Sequence, residues 1–262
     1  MTERILITGA AGGIGTAMRS RMARDGRTLR LVDIAALSDP APGEELVTAS
    51  VTDLEALTAA CQGVDAIIHL GGLSGEYSWD KILQTNIHGT YSAYEAARRA
   101  AVPRVIFASS NHAVGFHPVE PGPDYLFPRP DTYYGVSKVA GEALGSLYHD
   151  RYGLQVVCVR IGSCFERPSG ERMLSTWLSY DDCARLLEAA LSAPDPGFRV
   201  VWGISANTRA TWSLDEARAL GYQPQDDAEV YADQVEPEAD PTLNRYIGGK
   251  FCSSSLDAEV PA

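Results

Sequence analysis

A chain of 262 residues, 45% apolar and with a formal net charge of −12, has the size of one large α/β domain, or of one domain with a small appendage. The acidity argues against a nucleic-acid partner, which would need a basic face, and no stretch is long and apolar enough to cross a bilayer, so no membrane partner is expected. Five scattered cysteines without a Cys-x-x-Cys pair read as reduced thiols in or near a core rather than disulfides or a metal site, and the N-terminus enters a strand without a signal-peptide layout, so a cytoplasmic location is expected.

Strand runs at 5–8, 28–32, 45–48, 66–70 and 104–108 alternate with helix-like stretches at 15–24, 54–61 and a longer, alanine-rich 83–101. This alternation predicts an α/β fold with a Rossmann-type, doubly wound parallel sheet. Residues 113–132, rich in proline, glycine and aromatics, read as a loop beyond the carboxyl end of a strand, where such sheets bind ligands. A sixth strand is expected at 155–161. Beyond Gly162 the pattern loosens, with helices at 180–192 and 214–220, a strand at 199–203 and an acidic, proline-containing tail from Gln223. The expected division is a cofactor-binding core over 1–161 and a reduced substrate-binding region over 162–262, within one compact domain.

The run Thr8-Gly9-Ala-Ala-Gly12-Gly13-Ile14-Gly15 follows an apolar strand and opens a helix. Glycines there let the backbone turn tightly and let a pyrophosphate approach the helix N-terminus. Asp33 ends the second strand about twenty residues on, where a carboxylate accepts from ribose hydroxyls and repels a 2′-phosphate. Ile34-Ala-Ala after it brings no cation, which favours NAD over NADP. Asp53, before Leu54, suits either an adenine contact, with Leu54 packing on the ring, or a helix N-cap.

Tyr134 and Lys138 are four apart and share one helix face. An ammonium beside a phenol favours the phenolate, bringing a group with a reference pKa of about 10 toward use as a base. A tyrosine base beside a dinucleotide points to hydride-transfer chemistry.

Asp65-Ala-Ile-Ile-His69-Leu70-Gly71-Gly72, Asn86-Ile-His-Gly89-Thr90, Ala108-Ser109-Ser110 and Tyr134-x-x-x-Lys138 together resemble the extended branch of the short-chain dehydrogenase/reductase family. The resemblance implies that Tyr134 is the general base, that Lys138 lowers its pKa and binds the nicotinamide ribose, and that Ser110 hydrogen-bonds the reacting oxygen. Ser109 competes for that role; Ser110 lies closer to the outer end of the strand. Asn86 is implied to hold its helix and a proton-relay water. The cofactor surface so implied takes in Gly9, Gly12, Gly13, Ile14, Gly15, Asp33, Ile34, Asp53 and Leu54. It continues through Leu70, Gly71, Gly72, Asn86, Tyr134 and Lys138 to Ile161 and Cys164. His69 reads as structural, and Arg160 as locally paired.

The chain departs from nucleotide-sugar enzymes of that branch in having only about 100 residues after the sixth strand, which implies a small substrate. Ser109-Ser110-Asn111-His112-Ala-Val-Gly115, Arg160-Ile-Gly-Ser163-Cys164, Ser179-Tyr-Asp-Asp-Cys183 and Arg245-Tyr-Ile-Gly-Gly249-Lys-Phe251 resemble a narrower group, the bacterial uronate dehydrogenases. That resemblance implies C1 oxidation of galacturonate or glucuronate with NAD to an aldaric acid lactone, without a metal. Spacing alone makes Arg172 a solvated loop arginine; the resemblance makes it the clamp for the sugar carboxylate, with Ser74, Ser110, Asn111, His112, Tyr134 and Ser163 completing the substrate pocket. A homo-oligomer is expected from the helices that pair between subunits in this family. The competing readings are an extended-type epimerase or reductase of another small sugar, and a non-catalytic NAD-sensing regulator.

Overall fold

A computed structural model describes residues 3–37, 39–120, 126–238, 240–256 and 259. From the start of the chain, β1 (Glu3–Thr8), α1 (Gly13–Met22), β2 (Arg27–Asp33), β3 (Glu44–Thr48), α2 (Leu54–Ala60) and β4 (Ala66–His69) follow the expected alternation. The expected helix over 83–101 starts earlier and is not uniform. It runs as α3 (Trp79–Lys81), a π-helical stretch Ile82–His88 and α4 (Gly89–Arg99). Such wide turns disrupt the regular ladder and recur at functional positions; this one holds Asn86. Then come β5 (Arg104–Ser110), a 3-10 turn Asn111–Val114, α5 (Tyr133–Tyr152) and β6 (Gln155–Ile161). Two short strands that the sequence does not signal follow, β7 (Ser163–Cys164) and β8 (Trp177–Leu178), with α6 (Met173–Thr176) between them. The series closes with α7 (Tyr180–Ser192), β9 (Phe198–Gly203), α8 (Asp215–Ala219) and 3-10 turns in the tail. Of the predicted loop over 113–132, residues 121–125 lie outside the described residues.

Seven strands pair in parallel in the order β3-β2-β1-β4-β5-β6-β9. Strand alternation splits the core in two, as an open sheet with helices on both faces requires. Ile5, Ile7, Ile106, Val157 and Val159 pack with Met18, Leu186 and Trp202 on one face. Leu6, Val105, Phe107, Val156 and Cys158 pack with Leu57, Tyr94 and Tyr148 on the other. β9 comes from the C-terminal region yet extends the same sheet, paired with β6 from Val156↔Phe198 to Ile161↔Gly203.

Local chemistry sets the helix that carries Tyr134. The Thr132 hydroxyl accepts from Gly135 N at 3.0 Å, an N-cap worth about 1 kcal/mol. Gly153, at φ +71°, closes the far end in the left-handed region where glycine carries no penalty. Because all seven strands point one way, the tips of β1, β4, β5 and β6 open on a single edge, and the N-terminus of α5 lies over it.

Candidate active site

The cofactor end is mostly backbone. At Gly9, φ +70°, a β-carbon would come within 2.8 Å of Gly71 N, and at Gly15 it would overlap the Gly9 carbonyl. The loop at Gly9 can therefore pack against the tip of β4 and the first turn of α1 can close on that loop; Gly12 N donates to Gly9 O at 3.1 Å, and the N–H groups of Gly13 and Ile14 at the helix start are available to a pyrophosphate. Asp33 stands at the tip of β2. Its Oδ2 accepts from Ala11 N and its Oδ1 from Ala35 N, both at 2.9 Å, so the carboxylate also braces the glycine loop. Ile34 beside it is 72% exposed. Asp53 caps α2 through its Oδ1, accepting from Ala56 N at 3.0 Å, while Leu54 packs partly buried against the core below α2.

Gly71 N donates to Thr8 Oγ1 at 3.1 Å. Gly72 lies against Asn86, whose Oδ1 would be 3.2 Å from a β-carbon there. Asn86 is a clamp: Oδ1 accepts from Leu73 N at 2.8 Å, and Nδ2 donates to Leu73 O at 3.0 Å and to Ser137 Oγ at 3.2 Å. It ties the loop after β4 to α5. Leu70 and Ile161 line a small apolar cavity between the sheet and α7, together with Leu178 and Cys183. The Cys164 thiol is buried beside Cys183, and that neighbouring thiol, then burial, raises its pKa and holds it protonated. His69 sits fully buried between the hydroxyls of Thr8 (2.8 Å) and Thr90 (3.2 Å). Burial, with the Lys138 charge second, pushes its pKa down to about 3 and keeps it neutral. Arg160 is buried in a two-bond pair with Glu142, both bonds 2.8 Å.

At the reacting centre the two competing serines separate. Ser109 donates to Glu142 Oε1 at 2.6 Å, whereas the Ser110 hydroxyl, which donates to Asn111 Oδ1 at 3.4 Å and accepts from His112 N at 3.3 Å, acts on the Tyr134 phenol and lowers its pKa. Lys138 Nζ donates to Ala108 O at 2.8 Å and lies 5.2 Å from the centre of the Tyr134 ring. Burial outweighs the lowering of the phenol pKa expected from this lysine. Burial pushes Tyr134 up to about 12, against the neighbouring Ser110 hydroxyl that lowers it, and burial pushes Lys138 down to about 8. Both groups are sealed from water, which favours the neutral form of each. Two such neighbours titrate as a pair. When the pair loses one proton, near the Lys138 value, the state with neutral amine and phenol has the same proton count as ammonium and phenolate.

A carboxylate absent from the sequence expectations holds this helix in place. Glu76 is 0% exposed, and its two oxygens accept from Tyr133 N at 3.3 Å and Tyr134 N at 2.9 Å. These are orphan donors of the first helical turn, and the helix dipole favours a negative charge there. Glu76 lies two residues after Ser74, which is exposed, so it fixes the loop of Ser74 against the backbone of Tyr134.

The remaining substrate candidates converge on the C-terminal segment. Asn111 Nδ2 donates to Ile247 O at 3.0 Å, and Arg172 Nη2 donates to the same carbonyl. Burial lowers the Arg172 pKa, opposed by the charge of Asp131, and the ordinary value lies so high that the guanidinium stays charged. The His112 ring meets Tyr134 edge-on at 5.7 Å and Phe251 at 4.3 Å, and its Nδ1 is 2.7 Å from Asp131 Oδ2. Ser163 pairs with Thr176 Oγ1 at 3.0 Å. The acidic tail thus folds back onto the site, through Ile247 N to His117 O and Gly248 N to Gly115 O, both 2.9 Å. Sequence reading missed Glu76, Asp131 and the Ile247 carbonyl. The match at 245–251 was the only signal for the last, and the acids carried none. Among the described residues no group of three or more His, Cys, Asp or Glu is placed to hold a metal ion.

Comparison with known proteins agrees with this geometry. The uronate dehydrogenase of Pseudomonas putida is 46% identical over 255 residues, covering 95% of each chain. An alanine variant of the Agrobacterium tumefaciens uronate dehydrogenase complexed with NAD superimposes with a TM-score of 0.92 at 43% identity, over 97% of this chain and 98% of that one. A glucuronic acid dehydrogenase from Chromohalobacter salexigens gives a TM-score of 0.94 at 42% identity, over 99% and 100%. Residues 5–180 match the NAD dependent epimerase/dehydratase family, and with relatives this similar over nearly its full length the chain belongs to that family.

Proposed function

We propose that this protein is an NAD-dependent oxidoreductase that oxidises D-galacturonate and D-glucuronate at C1 to the aldaric acid lactone. The observation that carries the reading is the half-buried Arg172, with Asn111 on the same carbonyl, in the cluster that reaches Tyr134 and Ser110 through His112. A sugar acid has an alcohol at one end and a carboxylate at the other, and this cluster supplies a partner for each.

NAD, when bound on the glycine turn and Asp33, supplies the hydride acceptor. Ser110 holds the C1 oxygen, and Tyr134 takes its proton as the C1–H bond breaks. Lys138, one proton transfer away in charge, stabilises the phenolate form. Arg172 binds the carboxylate through two parallel bonds, while Ser74, Asn111, His112 and Ser163 hold hydroxyl and carboxylate oxygens. Asp33 beside the uncharged Ile34 selects NAD against a 2′-phosphate. We assign the cofactor to residues 1–161 and the small substrate region to 162–262, with Asn111 and His112 reaching across.

Tyr91 on α4 and Leu147 and Tyr152 on α5 are exposed, which supports a homo-oligomer built on those helices. The five free thiols suit a reducing compartment, the cytoplasm. The test is NADH formation on a panel of sugars. Steady turnover with galacturonate and glucuronate, and little with neutral hexoses, is expected. An epimerase would retain its cofactor and release no NADH, and a sensor would show no turnover at all.

A further inference from the structure

We propose that Asp131 is a positioning residue for the sugar: it fixes His112 as the Nδ1–H tautomer, so that Nε2 presents a lone pair to a substrate hydroxyl. The inference rests on the sugar-acid reading above and extends it to a side chain that does not itself touch the sugar.

The Asp131 side chain is fully buried. Its Oδ2 lies 2.7 Å from His112 Nδ1, and its Oδ1 accepts from the Thr132 hydroxyl at 2.9 Å. A carboxylate can only accept, so the proton of the first bond sits on Nδ1. The imidazole is gripped between Tyr134 and Phe251. Its Nε2 has no hydrogen-bond partner among the described residues. A neutral ring protonated at Nδ1 is an acceptor at Nε2, and a sugar hydroxyl is a donor.

The surrounding fold is shaped to this carboxylate. A β-carbon at Gly115 or at Gly248 would overlap Asp131 Oδ2, so two distant segments leave room for it. Helix capping does not account for Asp131, because Thr132 caps α5. The cost of burying a carboxylate is offset only where it is paired and hydrogen-bonded, and its closest pairing is with His112.

Asp131→Asn tests the idea, because the Thr132 hydroxyl retains the amide oxygen and turns the amide NH2 toward His112 Nδ1. That group donates, so the imidazole proton should move to Nε2. Long-range 15N–1H spectra of the full chain should show Nδ1–H in the wild type and Nε2–H in the variant. The KM for galacturonate should rise at least about 10-fold, with the Kd for NAD within about two-fold of the wild type. Adding Asp131→Asn to His112→Gln should change KM no further, since the first acts only through the second. An Nε2–H His112 in the wild type overturns the proposal by itself, even if the variant does not fold. So does an unchanged tautomer in Asp131→Asn, or a KM penalty that multiplies with that of His112→Gln. If the wild type oxidises no sugar acid, the functional reading falls and the spectra still decide the pairing. If the wild type turns over normally and Asp131→Asn keeps its KM, only the positioning role falls.

Discussion

The two ends of the site are made differently. The cofactor end is one short stretch of backbone, from the tip of β1 through the first turn of α1, with Asp33 tying it to β2. The sugar end we propose is gathered from four stretches far apart in the chain, around 74–76, 110–112, 131–134 and 163–176, and sealed by 247–251. A binding surface of main-chain N–H groups needs only glycine at the right turns, so it is written locally. A surface that must recognise a carboxylate and several hydroxyls needs buried ionic side chains, each with a partner, and those partners come from wherever the fold brings them.

This contrast can be broken by substitution. Tyr134→Phe touches both ends and should have the largest effect. We expect kcat/KM to fall about 1,000-fold while NAD still binds. In the wild type, kcat/KM should climb with pH, because the base must lose its proton and the pair loses its first one near the Lys138 value of about 8. A flat profile over pH 7–9, or a profile kept by Tyr134→Phe, would remove the base assignment.

Arg172→Ala probes the sugar end alone. Loss of a two-bond charged contact should raise the KM for galacturonate about 100-fold, with the Kd for NAD little changed. An equal loss in both constants would mean that the two ends are not separable. Asp33→Ala probes the other end and should have the smallest effect. It should relax discrimination against NADP about ten-fold and leave the KM for the sugar near the wild-type value. Unaltered selectivity would confine Asp33 to its bond with Ala11.

The same contrast explains how much could be read in advance. Strand and helix periodicity located all seven strands of the main sheet within about two residues, because alternation of side chains is a local property. The glycine turn and the Tyr134–Lys138 spacing were legible for the same reason. The competition between Ser109 and Ser110 was not, since it depends on which hydroxyl meets Glu142. Asp53 was open between two roles; the bond to Ala56 places its Oδ1 in the cap, and its second oxygen remains for an adenine amino group. Glu76 and Asp131 look like surface acids in the sequence, and only burial against the start of α5 gives them meaning. The upward push of burial on Tyr134 was illegible for the same reason, because a spacing of four residues says nothing about how far water is excluded.

The carbonyl of Ile247, shared by Asn111 and Arg172, has a practical consequence for grafting between relatives. Exchanging the last twenty or so residues for those of another sugar dehydrogenase would replace the acceptor that both donors use, so specificity transferred through residues around 111 and 172 will survive only if the segment that closes over them travels along.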